Sequence, residues 1–388
     1  MKIISVVGTR PNFMKIAPFI KAVKTYNDNI KNKNNQIEHL LINTGQHYDQ
    51  RMSSSFIEEL SINDSNIINL NIGAGTHSEQ VGKTMIAFEK VLISETPNWV
   101  VVVGDVNATL ACSIATKKLN IKLCHIEAGL RSNDLSMPEE INRVLTDRIS
   151  DLLLSPDENS SLNLINEGIS KERIKFVGNI MIDTLDKSYK FSKNLSFIKI
   201  LKSNYHIGFE LEKIAFNETT NFGIITLHRP SNVDNKIVLK NLIQNIINVS
   251  HSNLKFIWPV HPRTLFKLKE FNLLKPIASS KNILLTHPLK YTELLNLNIH
   301  SKFIITDSGG LQEECCVLGT PFFLFRNNTE RPITLKENGG TGYIVNNNFD
   351  LLRTKLLEIY HHPKNGVRPK YWDGNVAKRC LDAILNFK

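Results

Sequence analysis

Nowhere does the 388-residue chain run through the roughly eighteen uncharged apolar residues that a membrane-spanning helix needs, so no such helix is expected. Its five cysteines, Cys112, Cys124, Cys315, Cys316 and Cys380, are odd in number and form no Cys-x-x-Cys pair. That excludes a disulfide framework and a zinc cluster, and it suits a reducing cytoplasm. Aromatic residues are few, at 8%, and none interleave with a concentrated stripe of Arg and Lys. Nucleic-acid binding is therefore not expected. No Gly-x-Gly-x-x-Gly occurs, so a dinucleotide cofactor has no fingerprint, and neither cofactor nor metal is expected. The N-terminal apolar run leads into Gly8-Thr9-Arg10-Pro11 without a small-residue cleavage site, so it reads as a first strand rather than a signal peptide.

What is present is a chain with 41% hydrophobic residues, 22% charged residues and a net charge of +10, enough apolar surface for two cores. The lysines sit mainly in Asn/Lys/Ile-rich stretches, so the positive balance indicates solubility and a small anionic substrate. Apolar runs of strand length alternate with helical-period segments: Ile3–Val7, Glu38–Ile42, Trp99–Val103, Lys122–Ile126 and Ile174–Val177 form a first strand series. Gly223–Leu227, Lys255–Val260, Ile283–Thr286, Phe303–Thr306 and Phe322–Phe325 form a second, after a polar stretch with weaker strand signals, Lys187–Asn221. This is the α/β signature of parallel sheets covered by helices. Two Rossmann-like, doubly wound domains are expected, residues 1–180 and 181–373, with a terminal helix in 374–388 returning to the first. In such sheets ligands sit beyond the strands' carboxyl ends, and a cleft between facing domains would be the active site.

Unusual residues fall at those ends. Arg10 and Lys15 follow the Gly8 turn and offer charge to an anion at a helix start. Asp105 follows Trp99–Val103; Glu127 and Arg131 follow Lys122–Ile126; Glu139 and Glu140 open the next helix. Titratable groups at successive strand ends favour a catalytic cluster over helix capping. In the second half, His228-Arg229 and His261 end strands, and Ser308-Gly309-Gly310 opens a helix that carries Glu314. Helix-start N–H groups bind pyrophosphate without a metal, Glu314 suits the vicinal hydroxyls of a ribose, and Arg331 adds a cation directed at phosphate. Together they indicate a nucleoside diphosphate.

Those motifs, with Pro138-Glu139-Glu140, Asn142-Arg143, Gly178-Asn179, Asp307 and Thr329-Glu330-Arg331-Pro332, resemble the non-hydrolysing UDP-N-acetylglucosamine 2-epimerases, in order, from about residue 3 to residue 342. The resemblance implies a GT-B-like fold, a homodimer, and interconversion of UDP-GlcNAc with UDP-ManNAc. It implies that Asp105, Glu127, Glu139 and His228 surround the sugar as catalytic groups. Arg10, Lys15, Arg131, His228, Arg229, Ser308, Gly309, Gly310, Glu314 and Arg331 would bind the substrate. The chain departs from the family pattern at Asn12 and Ser231, where Glu is common, and around His261, so a second, activating UDP-sugar site is not carried over.

The C2 proton is not adjacent to a carbonyl and is too weakly acidic for direct removal. The expected route eliminates UDP to a 2-acetamidoglucal and re-adds it, with acid/base groups on both faces of C2. The alternatives are a 2-epimerase for a related UDP-sugar, such as UDP-2,3-diacetamido-glucuronic acid, and a GT-B glycosyltransferase.

Overall fold

The protein is described from a computed structural model, which covers residues 1–45, 66–206, 209, 216–217, 219–250, 254–359 and 364–387. It divides into two compact units, Met1–Thr184 with Pro369–Lys388, and Leu185–Arg368. Among the described residues no helix is long and apolar enough to cross a membrane.

The first unit holds β1 (Lys2–Val7), β2 (Glu38–Asn43), β3 (Ile67–Asn69), β4 (Trp99–Val103), β5 (Lys122–Ile126), β6 (Leu152–Ser155) and β7 (Ile174–Phe176). All are parallel, in the order β3-β2-β1-β4-β5-β6-β7. Val100–Val103 are wholly buried because helices cover both faces, which is why β4 shows no alternation. The C-terminal helix Val376–Leu385 returns to this unit, where Val376, Cys380, Leu381 and Ile384 join Phe13, Ile16 and Phe19 in one core cluster. Asp183 accepts its first amides, from Val376 and Ala377 at 3.1 and 2.8 Å, a carboxylate at the positive end of a helix.

The second unit repeats the plan with β8 (Phe222–Thr226), β9 (Lys255–Pro259), β10 (Ile283–Thr286), β11 (Phe303–Thr306), β12 (Phe322–Leu324) and β13 (Gly342–Ile344). Their order, β10-β9-β8-β11-β12-β13, is that of the first sheet without its last strand. Both sheets therefore reverse direction beside their first strand, at β1/β4 and at β8/β11, where adjacent helices diverge and leave a crevice.

Two sequence expectations change. The short strands β3, β6 and β13 were not among those expected, since three or four residues give too little pattern to register. The described part of the stretch taken as polar with weak strand signals is helical: Ile180–Lys193 runs unbroken across the boundary at Thr184, and Phe197–Asn204 buries Phe197, Ile200 and Leu201. The rest of that stretch lies largely outside the described residues, as does Lys388.

Candidate functional site

At the β1/β4 reversal, the chain leaves β1 through Gly8 and Thr9 and turns directly into the helix Arg10–Asn29. Asn12, buried in its first turn, accepts from Gly8 N, Thr9 N and Thr9 Oγ1 at 3.3, 3.1 and 2.9 Å and donates to the Val103 carbonyl at 2.9 Å. It ties the first loop to the end of β4. Lys15, one turn on, is buried and ion-paired with Glu127, whose side chain is also buried. Arg10 is half-buried at the helix start.

Gly104 is the hub. Its φ of +72° is open to glycine at no cost. A Cβ there would lie 3.2 Å from Asn12 Nδ2 and 3.5 Å from both Glu127 Oε2 and Lys15 Nζ. Glu127 itself has φ +71°, a conformation that costs a non-glycine residue about 1–3 kcal/mol and is held by its surroundings. Asp105 follows Gly104; its carboxylate is partly exposed, 3.4 Å from Arg143 Nη2, and its backbone carbonyl accepts from Asn142 at 2.8 Å.

Arg143 and Asn142 lie on the helix Pro138–Ile149, whose buried side chains, Glu140, Asn142, Arg143, Thr146 and Asp147, are all polar. A core helix normally buries an apolar stripe; this one buries the groups that build the strand-end cluster. Glu140 is framework, accepting from Ser132 N, Asn133 N and Arg143, whereas Glu139 remains half-buried at the helix start.

Arg131 is not brought to this group. It is buried, with Nη1 2.7 Å from Asp147 and Nε and Nη2 each 2.7 Å from Glu167. This guanidinium, neutralised by two carboxylates, holds the β5 loop in place.

At the β8/β11 reversal, Asp307 is the organiser. Fully buried, it accepts from His228 N at 2.9 Å, Arg229 N at 2.8 Å and Asn232 Nδ2 at 2.9 Å, and lies 3.0 Å from His228 Nδ1. Burial opposes its ionisation, but the His228 and Asn232 bonds outweigh it and hold its pKa below the usual carboxylate value. His228 is thus fixed at Nδ1 and half-exposed, its ring 5.3 Å from that of His261. Ser308 stands at the N-cap position of the helix Gly309–Leu318 without a side-chain capping bond, and a Cβ on Gly310 would meet nothing within 4 Å, so that helix start is open to a ligand. Arg331 lies against the same turn: a Cβ on Gly309 would be 2.9 Å from Arg331 Nη1. Arg331 donates to Glu313 at 2.6 Å and pairs with Glu330, which also binds Arg326 at 2.8 Å.

Glu314 is buried, and burial pushes its carboxyl up to about 8, with Glu313 adding to the rise and the Tyr291 hydroxyl opposing it. Because the folded value lies above the ordinary 4.5, stability on this account is intact below pH 4.5 and lost as pH rises towards about 8. Glu314→Gln carries no such loss. Its melting temperature is expected to exceed the wild type's near about pH 9 and to converge with it near about pH 5. Parallel melting profiles at the two pH values would contradict the assignment.

Asn12, Asn142, Asp147 and Glu313, which hold the loops and side chains of the candidate site, were given no role from the sequence. The signal for three of them was polar residues at helical spacing where a buried apolar stripe was due: Asn142 and Asp147 on Pro138–Ile149, and Glu313 on Gly309–Leu318. Among the described residues, no group of three or more His, Cys, Asp or Glu is placed to hold a metal ion.

Two doubly wound units, each with charged side chains or an open helix start at its sheet reversal, define the GT-B-like class of nucleotide-sugar proteins. The sequence profile of UDP-N-acetylglucosamine 2-epimerases matches residues 29–385. The chain is 40% identical over 382 residues to the UDP-N-acetylglucosamine 2-epimerase of Methanocaldococcus jannaschii, covering 98% of each protein. It is 39% identical over 390 residues to that of Methanococcus maripaludis, covering 100% of this chain and 99% of the relative. The crystal structure of the M. jannaschii enzyme in complex with UDP-GlcNAc and UDP superposes with a TM-score of 0.86 at 38% identity, over 100% of both chains. The chain belongs to the UDP-N-acetylglucosamine 2-epimerase family.

Proposed function

We propose that this chain is a cytoplasmic, homodimeric isomerase that interconverts UDP-GlcNAc and UDP-ManNAc without a cofactor. The observation that carries the reading is the Gly104 hub, which gathers a lysine–glutamate pair and Asp105 at the sheet reversal. Binding UDP alone needs no carboxylates there. The second unit holds the nucleotide: the open Ser308–Gly310 helix start, His228, Arg229 and Arg331 take the diphosphate, and Glu314 takes the ribose. The first unit does the chemistry at the sugar, with Arg10 and Lys15 as its cations.

The steps follow from what the substrate demands. The C1–O bond breaks, and the electron pair leaves with UDP, stabilised by fixed donors that cost no reorganisation. A carboxylate among Asp105, Glu127 and Glu139 takes the C2 proton, and the C1–C2 double bond of 2-acetamidoglucal forms. A second group then delivers a proton to the opposite face of C2 while the UDP oxygen re-bonds to C1. Glu127 is neutralised by Lys15, which lets its carboxylate stand buried beside the sugar.

The homodimer is supported by exposed apolar residues on two helices that pack on Asn107–Lys118: Ile86 and Ile93, 63% and 62% exposed, and Ile141 and Leu145, 43% and 45% exposed. Sedimentation equilibrium reads it directly. Five free, buried thiols suit a reducing compartment.

Reaction in deuterated water tests the chemistry. Deuterium is expected at C2 of both epimers, because the abstracted proton exchanges with solvent on the carboxylate. Epimerisation without label at C2 would exclude proton transfer there, and no second UDP-sugar from UDP-GlcNAc alone would exclude the activity.

A further inference from the structure

His125, the fourth residue of β5, has no exposed surface, yet it lies at the junction of the elements that carry Asp105, Glu127 and Glu139. Its Nδ1 is 2.6 Å from Asp147 Oδ1 on the helix Pro138–Ile149, and its Nε2 is 2.9 Å from the Gly104 carbonyl at the end of β4. Both partners are acceptors. The carbonyl has no proton to give, and Asp147 is held in its ionised form: burial opposes this, but His125 and Arg131 outweigh burial. The His125 ring therefore bridges the end of β4 at Gly104 on one side and Asp147 on the other, a buried clamp between strand and helix. Asp147 also accepts from Gly129 N at 3.0 Å, just beyond Glu127, so one carboxylate ties the β5 loop to the helix that begins at Pro138-Glu139.

We propose that His125 is a positioning residue, which through Gly104 and Asp147 holds Asp105, Glu127 and Glu139 in the register that proton transfer at C2 requires. This rests on the reading that those carboxylates act on the sugar. Gly104 and Glu127 both adopt left-handed backbone conformations, at +72° and +71°, and the His125 clamp spans the two turns. A plain core histidine would leave turnover unaltered once the protein folds. Loss of a positioning histidine makes the two half-reactions lose step, so that some 2-acetamidoglucal and UDP escape before re-addition.

The test uses His125→Phe, which keeps the ring volume, and His125→Gln, which restores a donor towards the Gly104 carbonyl. Against wild type, the Phe variant is expected to lose roughly ten- to a hundred-fold in kcat, with KM for UDP-GlcNAc little changed. It should also release measurable 2-acetamidoglucal, and the Gln variant should recover part of both losses. A folded Phe variant with wild-type kcat and no glucal overturns the proposal, as does equal impairment of both variants without glucal. Should the Phe variant fail to fold, the Gln variant carries the same comparison. A nitrogen spectrum of histidine-labelled wild type reads the clamp without turnover. A His125 ring hydrogen protected from solvent exchange by Asp147 is expected, and one that exchanges freely overturns the clamp whatever the activity. Wild type that shows the protected hydrogen but does not epimerise would sink the functional reading and leave the clamp standing.

Discussion

Asp105→Asn and Glu139→Gln are each expected to lower turnover by ~10²–10⁴-fold, the usual contribution of a positioned acid or base, while UDP binding is unchanged. The structure explains why these substitutions isolate chemistry. The Asp105 carboxylate is partly exposed and 3.4 Å from Arg143, and an asparagine oxygen accepts from that guanidinium as well. The Asn142 bond goes to the backbone carbonyl, which the substitution leaves in place. Glu139 is half-buried at a helix start, where glutamine fits the same space. Epimerisation rates beside UDP titration by calorimetry decide the matter. Near wild-type turnover in both variants would remove these carboxylates from the mechanism.

Arg331→Ala is expected to act twice. A charge-assisted contact to the diphosphate is worth about 1.5–3 kcal/mol, so UDP affinity should fall by about ten-fold or more. Arg331 also neutralises Glu313 and Glu330, whose side chains are 1% and 3% exposed. Removing one partner of a buried charge pair costs about 3–5 kcal/mol, which for a unit of this size lowers the melting temperature by about 6 °C or more. The double variant Arg331→Ala, Glu313→Gln separates the two effects. It should regain part of the stability, because a buried charge has gone with its partner, but none of the affinity. Recovery of UDP binding in the double variant would make Arg331 framework only, and wild-type melting of the single variant would contradict the carboxylate pairing.

Much of the site was visible before the fold. Gly8-Thr9-Arg10-Pro11, Gly104-Asp105, Glu127 and Ser308-Gly309-Gly310 stand out because turns at strand ends need glycine and because charge is costly beside buried strands. The partners of Arg131 are beyond what spacing can reveal. It stands four residues from Glu127, but its partners Asp147 and Glu167 are 16 and 36 residues further along the chain.

Sequence by itself determined the local code: buried parallel strands from unbroken β-branched runs, two sheets from two series of them, and a resemblance carried by ordered motifs. Those signals are local, since a strand or a helix start depends on residues within a few positions. Tertiary structure alone decided which charges meet. The strand order in each sheet sets β1 beside β4 and β8 beside β11, so that Lys15 finds Glu127 across 112 positions and His228 finds Asp307 across 79. A buried charge is stable only with a partner, and the partner is chosen by the crossover of the sheet rather than by distance along the chain.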